Sequence, residues 1–479
     1  MDKPVTPSPG GKTVHLPLVD MKSSLHLDGS RAYVHPADVK GRFATARKLV
    51  FVVLLAVYVA LPWINVGGHP AVFLDIESRS FFLFGASFNA QDIWMLVFVV
   101  TGAAFGLVFL TAAAGRVWCG WACPQTVFLE ALFRRLERLL QGPREKRLRR
   151  NAGPLTWDKV WRKTLTHLGY VVLAFLIAHV LLAYFVSVPQ LLRAMQQSPA
   201  AHPEAFAVVA VLTGILLFNF AWFREQFCVI LCPYGRLQSA LLDPDSLVIG
   251  YEKSRGEPRG KAKKADATAG DAAEKHGDCV DCGRCVTVCP TGIDIRNGLQ
   301  MDCVACTACI DACDEIMDKL NRPRGLIRYD SMAGLVGQPR RFFRPRIALY
   351  LVLGAFGVAA ATFAYGRRVD FESNVLRVQG PPYTLEGGLV RNAFTIHIVN
   401  KRSSETVFLI EPVPAPGATF LVPLREVRLK PLEQVSAPVF VTLPANDFVS
   451  DRALPLRVVP KGFEADARTI TLPFLGPKR

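Results

Sequence analysis

The sequence predicts an α-helical membrane protein of five spans, arranged as two repeated helix pairs plus one, with a small cysteine-rich module on the cytoplasmic side and a C-terminal all-β, Ig-like sandwich. Three observations lead there. Five apolar runs reach the ~20 residues that a bilayer demands. Eight of the 12 cysteines crowd between Cys279 and Cys313. The stretch after Tyr365 alternates apolar and polar side chains with period two.

Composition agrees with the membrane class. Of 479 residues 51% are apolar and the mean hydropathy is positive, which departs from ordinary soluble chains. A net charge of +16 suits either nucleic acid or a membrane surface. Here the basic residues flank apolar runs rather than forming one stripe, so no nucleic-acid partner is expected. Crowded cysteines, with none after Cys313, suit metal ligation in a reducing compartment better than a disulfide framework.

In chain order, residues 1–48 form a polar cytoplasmic tail without the short apolar core of a signal peptide. Residues 49–246 are a four-span region, with runs at Leu49 to Val66, Ile93 to Ala114, Leu165 to Val188 and Ala205 to Phe223. A fifth helix occupies 347–366. The loop from Pro124 to Thr164 holds eleven Lys/Arg, including Arg134, Arg135, Arg147, Arg149 and Arg150, whereas 67–92 and 189–204 hold one each. Positive residues favour the cytoplasm. The N-terminus is therefore expected inside and the C-terminus outside, with the polybasic loop resting on anionic lipid.

Residues 247–278 read as a flexible linker, since from Glu252 onward they are charged and Ala/Gly-rich. The cysteine-rich module follows at 279–330. Residues 367–479 read as an outer β domain: Phe394, Ile396 and Ile398 alternate, turn signals follow at Asn400 and Pro414 to Gly417, and alternation resumes at Phe420/Val422/Leu424 and Val439/Val441.

The chemistry lies in the cysteine spacing. C-x2-C-x2-C-x3-C-P at Cys279, Cys282, Cys285 and Cys289 precedes C-x2-C-x2-C-x3-C at Cys303, Cys306, Cys309 and Cys313. In such runs three thiolates hold one [4Fe-4S] cubane and the fourth crosses to the other. Cluster one is thus expected on Cys279, Cys282, Cys285 and Cys313, and cluster two on Cys303, Cys306, Cys309 and Cys289. Structural zinc also takes four cysteines, but from two separated C-x2-C knuckles. The second run has Asp314 where the first has Pro290.

Two further pairs, Cys119/Cys123-Pro124 and Cys228/Cys232-Pro233, each end a helix pair. The two copies share an orientation, so a pseudo-twofold axis along the membrane normal is expected, with a site between the halves. Positions i and i+4 on a helix lie about 5–6 Å apart at Cβ, a spacing that suits two thiolates on one soft ion. The prolines disfavour helix at Cys123 and Cys232 and should free backbone there. A lone membrane cysteine is ordinarily a small buried hydrophobe; two matched pairs favour a functional thiol or soft-metal site. His167 and His179 point apart on one span, and His69 and His202 read as solvated loop residues.

These motifs, WCGWACPQ (118–125), CVILCPYGRLQSAL (228–241) and CVDCGRCVTVCPTGIDIRNGLQMDC (279–303), together with the β tail, resemble the cytochrome c oxidase accessory proteins of the FixG/CcoG type, bacterial membrane ferredoxins. The resemblance spans almost the whole chain. It implies a cupric reductase, an oxidoreductase that supplies Cu(I) for assembly of a cbb-type haem-copper oxidase. A cytoplasmic donor of unknown identity would feed the clusters, and Cys119, Cys123, Cys228 and Cys232 would hold copper or relay the electron. A copper transporter or chaperone and oxidase assembly factors would be the partners, met through the outer domain. Two other readings stand beside it: a quinol-linked conduit to a periplasmic reductase, and a non-enzymatic assembly scaffold.

Overall fold

The structure is a computed structural model that describes residues 33–76, 80–88, 92, 94–260, 277–367, 369–378, 380–402, 404–431 and 433–477. The chain divides into two compact units. One comprises residues up to Ala60, Gly102–Leu182 and Ala194–Ala355; the other comprises Leu61–Thr101, Ala183–Arg193 and the chain from Phe356.

Five helices among the described residues are long and apolar enough to cross a membrane: Arg42–Ala60, Trp94–Ala114, Trp157–Leu182, Pro203–Phe223 and Pro345–Gly366. The first starts and stops earlier than the apolar run from Leu49 to Val66. Pro62 cannot continue a helix, and Asn65–Val66 instead pairs with His69–Pro70. The third starts at Trp157 rather than Leu165.

The cysteine-rich module belongs to the first unit and is larger than 279–330. Leu247–Tyr251 pairs antiparallel with Ile327–Ser331, and Ile249 and Tyr251 join a core with Ile295, Ile310, Met317, Leu326 and Ile327. The linker expected over 247–278 is therefore corrected at its start: LVIGY is an apolar run that gains more by burial than by solvation. Residues 261–276 of that expectation lie outside the described residues. Two helices, Arg284–Thr287 and Ala308–Lys319, carry Cys285, Cys309 and Cys313. Asp314, in the place of the missing proline, is buried and accepts the Gly325 amide at 3.0 Å.

Nor does the module hang free. The Ala37 amide donates to the Thr287 carbonyl at 2.8 Å, and Ala37 packs with Val288 and Ala312. Asp311 accepts the amides of Phe43 at 3.3 Å and Ala44 at 2.7 Å. The first span thus receives its N-terminal cap from the module, which satisfies amides that a helix start leaves open. A Cβ at Gly41 would fall 2.2 Å from the Asp311 carboxyl carbon, so only glycine fits there.

In the second unit a sandwich forms from two antiparallel sheets. One runs Thr419–Leu421, Gln434–Pro444, Leu389–Asn400, Phe371–Arg377, and the other Glu426–Leu429, Thr406–Pro412, Arg452–Pro460, Arg468–Phe474. Phe394, Ile396, Ile398, Val439 and Val441 are wholly buried between them. Leu424 is exposed and the strand ends at Leu421, so that stretch of alternation is only partly realised. Asn400 ends its strand by donating to the carbonyls of Ser404 and Leu429 at 2.9 and 3.0 Å. The segment after the first span, expected as a plain loop, adds a three-stranded meander of Val72–Asp75, Ser80–Leu83 and Ala86–Phe88. Lys401 of the sandwich pairs with Asp92 at 2.9 Å in a buried contact.

Candidate functional site

The two C-x3-C-P turns have matching geometry. Cys119 lies in the short helix Val117–Trp121. Cys123 leaves helical geometry with ψ 126°, and Pro124 starts the next helix. Cys228 lies in the π-helical turn Phe227–Leu231. Cys232 is extended with ψ 111°, and Pro233 starts the helix that follows. The loosening expected before each proline is present: the residue before proline is driven out of the α region, and the second cysteine becomes the cap of a new helix. The amides of Gln125 and Thr126 are turned toward the Cys123 sulfur.

The structure places these four thiols in one neighbourhood, although no three of them are close enough to bind a single ion as they stand. Cys119 lies within electrostatic reach of Cys123 and Cys232, and Cys228 within reach of Cys123, Cys119 and Cys232. Burial, with neighbouring thiols adding to it, pushes Cys119 up to about 11 and Cys228 up to about 12. A soft metal binding here has to displace protons. The Cys119 thiol reaches the Gln238 carbonyl oxygen at 3.4 Å, while the Gln238 amide nitrogen is buried without a partner.

The other eight cysteines fall into two groups. Cys279, Cys282, Cys285 and Cys313 line one pocket, and Cys313 feels Cys285, Cys279 and Cys282. Cys289 acts on Cys303, Cys306 and Cys309 alike. Among the described residues, no three Cys, His, Asp or Glu side chains converge on one ion. Structural zinc would hold every sulfur about 2.3 Å from a shared centre. Thiols grouped in fours but set wider apart fit a [4Fe-4S] cubane, in which each sulfur binds a different iron. Cys282 alone of the eight is exposed.

The two sites meet. Gly120, between Cys119 and Cys123, is buried. A Cβ there would lie 2.6 Å from the carbonyl oxygens of both Val304 and Ala305, within the loop that joins Cys303 to Cys306. Arg116 donates to the Met301 carbonyl, to the Cys303 carbonyl at 3.3 Å and to the Gly235 carbonyl at 3.0 Å. It therefore ties the iron-sulfur loop to the second C-x3-C-P turn as well. Arg47 of the first span donates to the Gly120 carbonyl at 2.7 Å, and Tyr329 donates to the Ala305 carbonyl at 2.9 Å.

A buried ionic network braces the same region. Glu137 accepts from Arg147 at 3.0 Å, from Arg224 and from the Tyr170 hydroxyl, and Arg134 pairs with Glu225 at 3.0 Å. Arg134 and Arg147 are each 1% exposed, so these two members of the polybasic loop do not meet lipid. Sequence reasoning missed Arg116, Gly120 and this network. Only the glycine inside a C-x3-C pair was a usable signal, since glycine marks close backbone approach. Among the described residues no histidine joins a three-ligand cluster: His69 stacks on Phe82 at 3.9 Å, and His202 bonds Gln197 at 2.6 Å.

A family model for a 4Fe-4S dicluster domain matches residues 223–332, and one for a 4Fe-4S binding domain matches 93–145. A third, described as the IG-like fold at the C-terminal of FixG, matches 361–477. The chain is 34% identical over 464 residues to nitrogen fixation protein FixG of Rhizobium meliloti (strain 1021), covering 87% of this chain and 88% of that protein. The chain belongs to the FixG family. FixG-family relatives in Cereibacter sphaeroides, the proteins RdxA and RdxB, are 37% and 36% identical, each covering 79% of this chain and 81% of its own. A crystal structure of a FixG-related protein from Vibrio parahaemolyticus aligns with 22% of this chain and 97% of its own, at 13% identity and a TM-score of 0.21. This FixG-family chain is an integral membrane, iron-sulfur electron-transfer protein.

Proposed function

We propose that the chain takes electrons from a cytoplasmic donor and reduces Cu(II) to Cu(I) for assembly of a cbb-type haem-copper oxidase. The observation that carries this reading is the close seat of Gly120, between Cys119 and Cys123, on the backbone between Cys303 and Cys306, with Cys228 and Cys232 in electrostatic reach of Cys119 and Cys123. Cys279, Cys282, Cys285 and Cys313 would hold one cluster; Cys289, Cys303, Cys306 and Cys309 would hold the other. A bound cubane of this kind supplies one electron at a time. The four membrane thiols bind copper as substrate, and thiolate donors favour Cu(I) over Cu(II), which assists the one-electron step.

Five crossings would leave the N-terminus in the cytoplasm and the sandwich in the periplasm, free to dock a copper transporter, a chaperone or oxidase assembly factors. Supporting that orientation, the basic loop 124–164 falls in one compact unit, and the poorly charged loop 67–92 falls with the sandwich in the other. The test is anaerobic mixing of dithionite-reduced, full-length protein with Cu(II) and, separately, with a quinone. Stoichiometric appearance of chelated Cu(I) supports the proposal. Reoxidation by quinone with no Cu(I) formed replaces it with the quinol-linked conduit, and clusters that cannot be cycled reversibly replace it with a scaffold.

A further inference from the structure

Resting on the proposed electron path, the geometry points to where electrons leave the iron-sulfur module: we infer that they exit through the Cys303–Cys306 loop, with Gly120 and Arg116 as the positioning residues that seat this loop on the membrane thiols. The two thiol groups of the module are not equivalent. Cys303 and Cys306 flank the backbone that a Gly120 Cβ would strike, while Cys282 of the other group is exposed. The group containing Cys282 is therefore open to a soluble donor, and the group containing Cys303 faces the acceptor.

Two devices hold the exit in place. Gly120 lets the helix turn that carries Cys119 approach the 304–305 backbone more closely than any side chain permits. Arg116 then bridges three strands of chain: its guanidinium donates to the carbonyls of Met301 and Cys303 on the iron-sulfur loop and of Gly235 beside Cys232. It also places a positive charge next to Cys303, which favours the reduced, more negative state of whatever that thiolate holds. The step is a single electron passing from the reduced centre to Cu(II), giving Cu(I). No bond to protein breaks and no proton moves.

The test uses full-length protein carrying Gly120→Ala, Arg116→Gln or Arg116→Lys. Three quantities are read: iron content, the midpoint potentials of both clusters by EPR-monitored titration, and the rate of cluster reoxidation by Cu(II) in rapid mixing. Iron content should stay at the wild-type value. Gly120→Ala and Arg116→Gln should each slow reoxidation on the order of tenfold or more, because small displacements at a transfer site are costly, and Arg116→Lys should recover most of the rate. Arg116→Gln should also lower the potential of one cluster and leave the other unmoved. Wild-type rates in both Gly120→Ala and Arg116→Gln, or potentials that Arg116→Gln leaves unmoved, would overturn the assignment. If wild-type protein is not reoxidised by Cu(II) at all, the copper reading fails, and the potentials still decide the role of Arg116. If Gly120→Ala does not accumulate, Arg116→Gln, which adds no bulk, decides alone.

Discussion

Glu137 shows how much charge the membrane-proximal region holds in balance. Burial alone would raise its carboxyl, but Arg224, the Tyr170 hydroxyl, Arg134 and Arg147 outweigh it and hold the group down to about 2, from an ordinary 4.5. A carboxyl depressed in the folded state stabilises the fold fully above its unfolded value and stops doing so as pH falls through the folded one. Thermal stability of the detergent-solubilised protein should therefore decline between pH ~4.5 and ~2, and Glu137→Gln should flatten that part of the profile. At neutral pH the same variant should cost about 3–5 kcal/mol, since it leaves buried arginines short of charge. None of this was legible beforehand. Arg134 and Arg147 sit in a run of cations that reads as a solvated or lipid-facing loop, and only the fold brings Glu137, Glu225 and Tyr170 to them.

The membrane cysteines, in contrast, stand out in the sequence by residue type and spacing, because a pair repeated with its proline is improbable as packing. If the four thiols act as one unit, Cys119→Ala and Cys228→Ala should each abolish Cu(II) reduction. The double variant should be hardly slower than either single, as for groups whose contributions are not additive. A double variant that reduces copper at the wild-type rate would move the chemistry away from these thiols.

At the level of elements, the cysteine run carries its own prediction. Anaerobically purified protein should contain about eight irons per chain, four for each cubane, and replacing Cys285 and Cys306 together should remove both clusters. Stoichiometric zinc would sink the electron-transfer role. About twelve irons would instead place a third cluster on the four membrane thiols. Element type was readable wherever periodicity ran long: the apolar helices and the strand through Phe394, Ile396 and Ile398. It failed at Leu247–Tyr251, five residues next to a charged stretch, and in the meander 72–88, whose strands span three or four residues each. Pairings that short are decided by distant partners rather than by local pattern.

For the whole molecule, the span count and the Lys/Arg asymmetry predict opposite compartments for the ends. Reporter fusions at Gly10 and Pro477 should respond oppositely. Matching responses would remove one span, with the glycine-interrupted run from Ala205 to Phe223 the first candidate. The attachment of the iron-sulfur module to the membrane helices had no counterpart in the sequence, because it depends on contacts such as those of Asp311 and Gly120, far from their partners in the chain.

Such contacts also bear on biosynthesis. The carboxylate that closes the first span is 267 residues downstream of the Ala44 amide it accepts, so the ribosome delivers that helix to the bilayer long before its cap exists. During translation the leading turn is left to water or headgroups, and it is completed only when the last cysteine-bearing helix folds onto it. Maturation of the iron-sulfur module and completion of the first membrane helix are one event, and a chain whose module fails to fold presents an unfinished helix end at the membrane surface to the proteases that patrol it.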